Sequence, residues 1–306
     1  MHALDEQRHY ASRRMQVTLL PDAQPRPRRI AVGEFDGVHL GHREVIRGSD
    51  TVLTFEPHPA TVVRRGGGPK LLTRLDVKAE LIAALGVDEV VVIPFDTGFA
   101  HESAQEFIDK VLVEQLGATH VSVGENFHFG HRAAGNPALL AADSRFETRV
   151  VPLVEVDGEM VSSSRIRTLI ADGQVEAAAQ LLGAAFQIRG EVVHGAQLGR
   201  ELGFPTANIV PDPEFVCPGH GVYACRAGEH LAAVNVGVRP TLGEDLALLV
   251  EAYLLDFDGD LYGDMLTIEF VGRLRGELRF DTVEQLVEQI RADVRDARAL
   301  LASDRT

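Results

Sequence analysis

Short runs rich in β-branched residues alternate with segments of helical spacing through the first half of the chain. The predicted strands are 30–32, 51–55, 89–93, 120–123 and 149–154, and the predicted helices between them are 76–85 and 103–116. In the helical segments the apolar residues recur at the spacing of one helix face. This alternation predicts an α/β fold, with a parallel sheet and helices on both faces.

The pattern changes near Gly183, after two short predicted helices at 164–171 and 175–182. Strand-like runs then follow one another through turn-rich loops at 186–193, 221–226, 232–236, 248–255 and 265–271. This succession predicts a small β-barrel. A terminal helix is predicted to begin after Asp281 as its N-cap, with Glu284 three residues on, and to cover the barrel with the apolar stripe Val283, Leu286, Val287, Ile290 and Val294.

The chain length of 306 residues predicts two domains, because one hydrophobic core rarely serves so long a chain. The change of pattern places them at 15–183 and 184–306. Residues 1–14 have no apolar period, and we predict that they form a disordered extension outside the fold.

Composition narrows the class of protein. Apolar residues make up 45% of the chain and charged residues 25%, as in soluble globular enzymes. A formal net charge of −15 repels nucleic acid and anionic membranes. The chain has neither a membrane-spanning apolar stretch nor a signal peptide, so a cytoplasmic location is expected. Cys217 and Cys225 do not fit a disulfide framework or a metal site, and we interpret both as packing residues.

A glycine-rich decapeptide, G-E-F-D-G-V-H-L-G-H, follows the first predicted strand at residues 33–42. Its turn allows close approach of an anion, and the free N–H groups of the following helix favour phosphate. The candidate nucleotide-binding residues of the turn are Gly33, Phe35, Asp36 and Gly37. His39 and His42 lie on one face of a helical turn and could donate hydrogen bonds to an α-phosphate during displacement of pyrophosphate. The alternative is an ordinary strand-to-helix turn with two exposed histidines.

A second candidate phosphate site is the run V-S-S-S-R-I-R at residues 161–167. Three serines ahead of a helix can cap it, and Ser163, Arg165 and Arg167 then lie near the positive end of its dipole. The arginines suit bidentate contacts with phosphate. The alternative is a capped helix with solvated arginines.

These landmarks resemble the FMN adenylyltransferase module of the bacterial bifunctional riboflavin kinase/FAD synthetases. The resemblance runs from Met15 to about Gly183 and includes F-E-P-H-P at 55–59 and G-E-N-F-H-F-G at 124–130. It implies a Rossmann-like nucleotidyltransferase domain in which the two histidines act on the ATP phosphates and the two arginines hold the triphosphate. It also implies that Pro57, His58 and Asn126 lie near the flavin. Taken alone, the P-H-P turn at 57–59 and the G-E-N-F loop at 124–127 would be ordinary strand terminators.

Two departures from this family pattern bear on the adenylyltransferase. Eight residues separate His42 from Thr51, where a crossover helix normally needs more, so the first helix is predicted to be a stub. Glu34 stands where relatives carry a neutral residue, which places a carboxylate beside the expected triphosphate. Slow adenylylation, or reliance on magnesium to screen this charge, is the expected consequence.

The second half carries its own motif, G-x-x-x-G-R-E-L-G-F-P-T-A-N, at residues 195–208. Its candidate nucleotide-binding residues are Gly195, Gly199, Arg200, Gly203 and Pro205, in a flexible loop whose backbone amides could wrap a nucleotide. Thr206 and Asn208 are two apart on an extended segment and point the same way, as hard ligands suited to Mg²⁺. The alternative is a glycine-rich hairpin with a polar edge.

Glu251 is the one carboxylate in the apolar strand 248–255. Such a carboxylate is costly unless it is paired or at a cavity mouth. As a site residue it would be the general base for a primary hydroxyl. The alternative is an exposed carboxylate on an edge strand.

From Gly183 to about Leu301 the chain resembles the riboflavin kinase module of the same enzymes, including N-V-G-V-R-P-T at 235–241 and L-L-D-F-D-G-D-L-Y-G at 254–263. The resemblance implies magnesium on Thr206 and Asn208 and Glu251 as the base. It places the following loop residues near the flavin: Asp258, Leu261, Tyr262 and Gly263. One departure is Gln197-Leu198, where many relatives carry Gly-Arg, and lost charge there would weaken ATP binding.

Together these patterns predict an ATP- and Mg²⁺-dependent enzyme that phosphorylates riboflavin with its second half and adenylylates FMN with its first. The expected partners are riboflavin, FMN and ATP, with no obligate protein partner. One alternative remains at this point: a riboflavin kinase with a weak or inactive adenylyltransferase. A non-catalytic flavin- or nucleotide-binding regulator would have lost site residues, and all of the following are present: His39, His42, Thr206, Asn208 and Glu251.

Overall fold

The computed structural model describes residues 15–195, 198–240 and 246–303, with the side chains at 198, 200, 239, 240, 246 and 247 left out. The predicted extension at 1–14, Gln197, the side chains of Leu198 and Arg200, and Thr241 fall outside this description. Two compact units are present: one contains the chain up to Pro69 and Thr73–Val161, the other Lys70–Leu72 and the chain from Ser162. The domain boundary at Gly183 stays a prediction.

The first unit is built on a six-stranded parallel sheet. The strands are β1 Gln16–Leu19, β2 Arg28–Val32, β3 Thr51–Glu56, β4 Glu89–Pro94, β5 Ala118–Gly124 and β6 Glu147–Val151, in the order β1-β4-β3-β2-β5-β6. The strands β2 to β6 confirm the predicted ones, although the last ends at Val151, just before Pro152. The strand β1 was not predicted; it is a four-residue edge strand with one buried side chain.

Helices cover both faces of this sheet. They are α1 Leu40–Ile46, α2 Pro59–Val63, α3 Leu75–Ala83, α4 Ala104–Glu106, which continues as a π-helix over Phe107–Gln115, and α5 Pro137–Ala141. Successive strand residues enter opposite cores: Leu53 packs into the cluster containing Leu112, and Val52 into the cluster containing Ile82. Burial on both faces explains why β3 and β4 are apolar without alternation. A two-stranded hairpin, β7 Glu155–Val156 and β8 Glu159–Met160, follows.

A buried ion pair ties the ends of this unit's central strands together. The guanidinium of Arg28, which is 2% exposed, donates to the Glu89 carboxylate at 3.0 Å and to the carbonyl oxygens of Gln24 and Leu116 at 2.9 and 2.8 Å. Burial alone would raise the pKa of Glu89, but the hydrogen bond and charge of Arg28 outweigh it and hold that pKa below its ordinary value.

The second unit is a nearly closed antiparallel barrel with flanking helices. Its elements are α6 Ser163–Ala171, α7 Val175–Leu182, β9 Phe186–Glu191, α8 Leu198–Glu201, β10 Ala207–Ile209, β11 Gly221–Ala227, β12 His230–Pro240, β13 Leu246–Leu254, β14 Met265–Arg275 and α9 Val283–Ser303. The strand order is β10-β13-β12-β11-β14-β9, and a bridge between Val193 and Asn208 brings the two edges together. The predicted barrel and terminal helix are confirmed.

Two details of the terminal helix differ from prediction. Thr282, rather than Asp281, caps α9, because its Oγ1 accepts the Gln285 N–H at 3.3 Å. The predicted stripe begins too early, since Val283 is 56% exposed while Ala297 and Leu301 are buried against the barrel. The helix residues in this apolar cluster, Val294, Ala297, Leu300 and Leu301, all lie in the C-terminal half of α9.

Candidate active sites

Three neighbouring parallel strands of the first unit carry predicted site residues at their carboxyl ends. The loop 33–39 follows β2, Pro57 and His58 follow β3, and Asn126 follows β5. In the sheet order, β3 and β5 lie on either side of β2, so these three ends are adjacent. From β2 the chain adds β3 and β4 toward one edge of the sheet and then crosses to β5 on the other side of β2. Such a switch point is where open α/β sheets bind ligands. The fold therefore groups these predicted residues at one edge.

The turn after β2 is unusual in its backbone. Phe35, Gly37 and Val38 have φ angles of 50°, 88° and 42°. A left-handed conformation suits glycine, but at Phe35 and Val38 it costs about 1–3 kcal/mol each. The side chains of Phe35 and Asp36 are 1% and 3% exposed. Any nucleotide contact from these two positions therefore comes from the backbone, and their role stays a prediction.

Thr73, which the sequence analysis did not single out, connects both sides of this turn. Its backbone N–H donates to Asp36 Oδ1 at 3.1 Å and its hydroxyl to the same oxygen at 3.4 Å. The same hydroxyl accepts the Gly37 N–H at 3.0 Å. Thr73 is 36 residues from Gly37 along the chain, so no local signal could have found this connection.

The two motif histidines form a stacked pair at the start of α1. His39 caps the helix, with its Nδ1 accepting the His42 N–H at 3.2 Å, and the rings lie 3.5 Å apart at an angle of 17°. In a neutral His39 ring the proton is therefore on Nε2. Phe35 meets the His42 ring edge-on at 5.4 Å. His39 is 6% exposed, so the alternative of two exposed histidines is wrong for this residue.

Close packing against the His39 ring explains why residue 41, between the two histidines, is a glycine. A Cβ at this position would lie 3.2 Å from Cε1 and 3.3 Å from Nδ1 of His39, closer than side chains normally pack. The short α1, seven residues long, confirms the predicted stub. The helix is nevertheless capped and carries both rings, so the shortened crossover retains the part of the helix that positions them.

The Glu34 side chain is paired with a neighbouring histidine. Its carboxylate lies 2.6 Å from Nε2 of His58, whose Nδ1 accepts the Ala60 N–H and caps α2. The buried Lys78 lies in the same acidic surroundings: burial lowers the pKa of its ammonium group, while the charges of Asp36, Glu56 and Glu34 act in the opposite direction. Glu34 therefore faces partners within the protein, which the sequence alone did not indicate.

The serine–arginine run lies at the start of α6. Ser162 caps the helix by accepting the Arg165 N–H at 3.2 Å, so one serine precedes the helix rather than three. Ser163 is its first residue, and Arg165 and Arg167 follow within the first two turns. By contacts this helix groups with the second unit. The role of these residues toward the triphosphate stays a prediction.

In the barrel, strand register builds a polar row across β10, β13 and β12. Glu251 is paired directly with Asn208 on one side and Asn235 on the other. Directly paired residues of an antiparallel sheet point to the same face. Asn235 Nδ2 donates to Glu251 Oε2 at 3.3 Å. No role was predicted for Asn235, because its pairing with Glu251 depends on the register of two strands.

The glycine-rich segment lies over this row. A Cβ at Gly195 would come within 2.5 to 2.8 Å of the Asn208 amide group, and a Cβ at Gly199 would collide with the Phe204 carbonyl oxygen. The Phe204 ring packs edge-on against Tyr253 at 5.4 Å. The predicted flexible loop contains one helical turn, α8. The absence of glycine side chains thus permits the close approach of this segment to the strand bearing Asn208.

The loop between β13 and β14 approaches the start of the same segment. The Gly263 N–H donates to the Val192 carbonyl at 3.0 Å, and the Tyr262 ring lies 3.9 Å from that of His194. Leu261 and the exposed Asp258 belong to the same loop. The loop is therefore adjacent to the glycine segment, while the flavin contacts of its residues stay predictions.

Comparison with known proteins covers both halves. Family models for FAD synthetase and riboflavin kinase match residues 22–165 and 182–301. Bifunctional riboflavin kinase/FMN adenylyltransferases from Listeria monocytogenes, Pseudomonas fluorescens and Escherichia coli K12 are 41%, 38% and 37% identical to the chain. Those alignments cover 89%, 89% and 88% of this chain and 92%, 92% and 91% of the relatives.

A crystal structure of a protein from Streptococcus pneumoniae, described as a macrolide-efflux protein, has the same fold. Its TM-score is 0.83 at 30% identity, covering 93% of this chain and 99% of that one. That description refers to the Streptococcus pneumoniae protein, and no activity of this chain follows from it. Within the described ranges, no helix is long and apolar enough to cross a membrane. From the two family models and the near full-length relatives, the chain belongs to the bifunctional riboflavin kinase/FMN adenylyltransferase family.

Proposed function

We propose that this protein makes FAD from riboflavin in two ATP-dependent steps, each with its own constellation of site residues. The observation that carries the proposal is the presence of both constellations in one chain: the stacked His39 and His42 after β2, and Glu251 between two asparagines in the barrel. A riboflavin kinase alone would account for Glu251 and its two asparagines, but not for the stacked histidines.

In the kinase step the 5′-hydroxyl oxygen of riboflavin bonds to the γ-phosphorus of ATP, and ADP leaves. Glu251 accepts the hydroxyl proton as the general base. Asn235 orients its carboxylate through the 3.3 Å hydrogen bond. The backbone of the segment containing Gly195 and Gly199 approaches the nucleotide, and the loop with Tyr262 lies against the flavin.

The residues fit a divalent cation held by Thr206 and Asn208. Within the described residues, Asn208 Oδ1 is buried and has no hydrogen-bond partner, although Nδ2 of the same amide donates to the Thr206 carbonyl at 3.0 Å. A buried oxygen without a donor is costly, and amide and hydroxyl oxygens suit Mg²⁺. When bound, Mg²⁺ would neutralise charge on the transferring phosphates.

In the adenylyltransferase step a phosphate oxygen of FMN bonds to the α-phosphorus of ATP, and pyrophosphate leaves. His39 and His42 donate hydrogen bonds to the charge that develops on the α-phosphate. The family resemblance implies that Arg165 and Arg167 hold the triphosphate, and guanidinium groups suit charge-assisted hydrogen bonds to phosphate. Pro57, His58 and Asn126, at the neighbouring strand ends, form the flavin side of the site.

Chromatography of the flavins tests both steps in one reaction. Purified protein with riboflavin, ATP and Mg²⁺ should form FMN and then FAD, and with FMN as substrate it should form FAD directly. We expect His42→Ala to abolish FAD formation alone and Glu251→Ala to abolish FMN formation alone. Failure to convert supplied FMN would refute the adenylyltransferase, and loss of both steps in either variant would refute separate sites.

A further inference from the structure

The backbone turn that precedes the two histidines is held in place from outside the motif. The turn runs from Gly33 to Val38, and two of its residues other than glycine, Phe35 and Val38, have left-handed φ angles of 50° and 42°. Such conformations persist only where the surroundings over-determine them. The contacts that determine this turn therefore also determine where the histidines lie.

Some of those contacts come from the neighbouring strand and from within the turn. The Gly33 N–H donates to the Leu53 carbonyl and the Thr54 hydroxyl to the Glu34 carbonyl, both at 3.1 Å. The Val38 N–H donates back to the Phe35 carbonyl at 3.1 Å. These bonds fix the beginning and the end of the turn, but not the peptide at Gly37 between its two left-handed residues.

The side chain of Thr73 binds the middle of the turn. Its hydroxyl accepts the Gly37 N–H at 3.0 Å and points its hydrogen toward Asp36 Oδ1 at 3.4 Å, while its backbone N–H donates to the same oxygen at 3.1 Å. Asp36 is 3% exposed and Thr73 is half-buried, so these bonds are partly shielded from solvent. A buried polar group that loses its partner is left unsatisfied, and the turn then has reason to change its conformation.

A change in the turn reaches both histidines directly. His39 follows Val38 in the chain and caps α1, and the Phe35 ring contacts His42 edge-on at 5.4 Å. Donors to a transition state act through their placement, and small displacements reduce the rate without preventing binding. The hydroxyl of Thr73 is therefore coupled to the histidines through one short segment.

We propose that Thr73 is a positioning residue for FMN adenylylation, whose hydroxyl holds the Gly33–Val38 turn in the conformation that places His39 and His42. This inference rests on the proposed adenylyltransferase function. Thr73 touches no substrate in this role, so its loss reduces turnover more than substrate affinity. The hydroxyl, rather than the methyl group, carries the effect.

Three variants of the full chain test this role. Thr73→Val keeps the shape and removes the hydroxyl, and Thr73→Ser keeps the hydroxyl. Thr148→Val is the matched control in the same unit, because Thr148 Oγ1 is buried without a hydrogen-bond partner among the described residues. The measurements are kcat and KM for FAD formation from FMN and ATP, FMN formation from riboflavin in the same preparation, and the thermal unfolding midpoint.

We expect Thr73→Val to lower the kcat of FAD formation about tenfold, with both KM values within about twofold of wild type. Thr73→Ser should restore kcat to within about threefold, and Thr148→Val should match wild type. FMN formation from riboflavin should be unchanged in all three. If Thr73→Val is unfolded at the assay temperature, Thr73→Ala and Thr73→Ser are compared below the lower of their unfolding midpoints.

Wild-type kcat in Thr73→Val, a rise in KM alone, or an equal loss in Thr73→Ser would each overturn the positioning role. Failure of the wild-type protein to form any FAD from FMN would instead refute the adenylyltransferase function, so the two failures are distinguishable.

Discussion

Removal of the Asn235 side chain is the most direct test of the proposal that Asn235 orients Glu251 as the general base. Asn235 donates to the Glu251 carboxylate at 3.3 Å, and register places the two residues opposite each other on β12 and β13. A hydrogen bond to a charged group contributes about 1.5–3 kcal/mol. The distance exceeds the range of about 2.7–2.9 Å for strong charge-assisted bonds, so the lower end of that energy applies. Since about 1.4 kcal/mol is a factor of ten in rate, Asn235→Ala should lower the kcat of riboflavin phosphorylation about tenfold.

Asn235→Asp makes the test sharper because it preserves size and replaces the donor with a second carboxylate. Two carboxylates about 4 Å apart repel by about 4 kcal/mol at an effective dielectric constant near 20. We therefore expect a loss of about 100-fold or more, larger than that of Asn235→Ala. The assay is initial-rate FMN formation at saturating riboflavin and ATP, with FMN-to-FAD conversion by the same protein as the internal control.

Wild-type turnover in Asn235→Ala would refute the conclusion that this amide orients Glu251. Equal losses in both steps would point to a folding defect, which the unfolding midpoint of each variant would reveal. An Asp variant more active than the Ala variant would contradict the electrostatic part of the reasoning.

Two further predictions concern the first unit. Glu89→Gln leaves the buried charge of Arg28 uncompensated, so we expect a loss of about 3–5 kcal/mol in the free energy of unfolding, measured by denaturant titration. In the wild type the folded pKa of Glu89 is depressed, so its stabilisation is present above the ordinary value of 4.5 and is lost as the pH falls through the folded pKa. Gly41→Ala places a Cβ 3.2 Å from the His39 ring and should lower the kcat of FAD formation about tenfold, measured against unchanged FMN formation.

Matched controls exist for both. Glu44→Gln removes a carboxylate from a surface ion pair with Arg47 and should change stability by less than about 1 kcal/mol. A Cβ at Gly66 would meet open space, so Gly66→Ala should leave FAD formation intact. A stability loss in Glu89→Gln no larger than in the Glu44 control would refute the stabilising role of the Arg28–Glu89 ion pair. Wild-type FAD formation in Gly41→Ala would refute the need for a glycine beside the His39 ring.

Much of the fold could be predicted from local patterns. The strands β3 and β4 bury both faces, so each is a short apolar run that stands out from its neighbours, as at Val52 and Leu53. By contrast, β1 has one buried side chain among four and no visible period. The cap of α9 at Thr282 was missed by one residue, because neighbouring polar side chains are equivalent until the helix axis is fixed.

The sequence by itself determined the types of chemical group present and their order: the histidines, the glycine segment, Thr206 with Asn208, and the lone strand carboxylate Glu251. These signals lie within short stretches, where spacing alone fixes which side chains share a face. They identified the family and the two constellations without a structure.

Only the tertiary structure decided which partners surround those groups. Thr73 reaches the turn at Gly37 from 36 residues away, Asn235 meets Glu251 across a strand pair, and the Glu34 carboxylate contacts His58 beyond the next strand. The physical reason is that hydrogen bonds and ion pairs act over a few ångströms in space. Their partners are set by sheet order and register, which local periodicity does not encode.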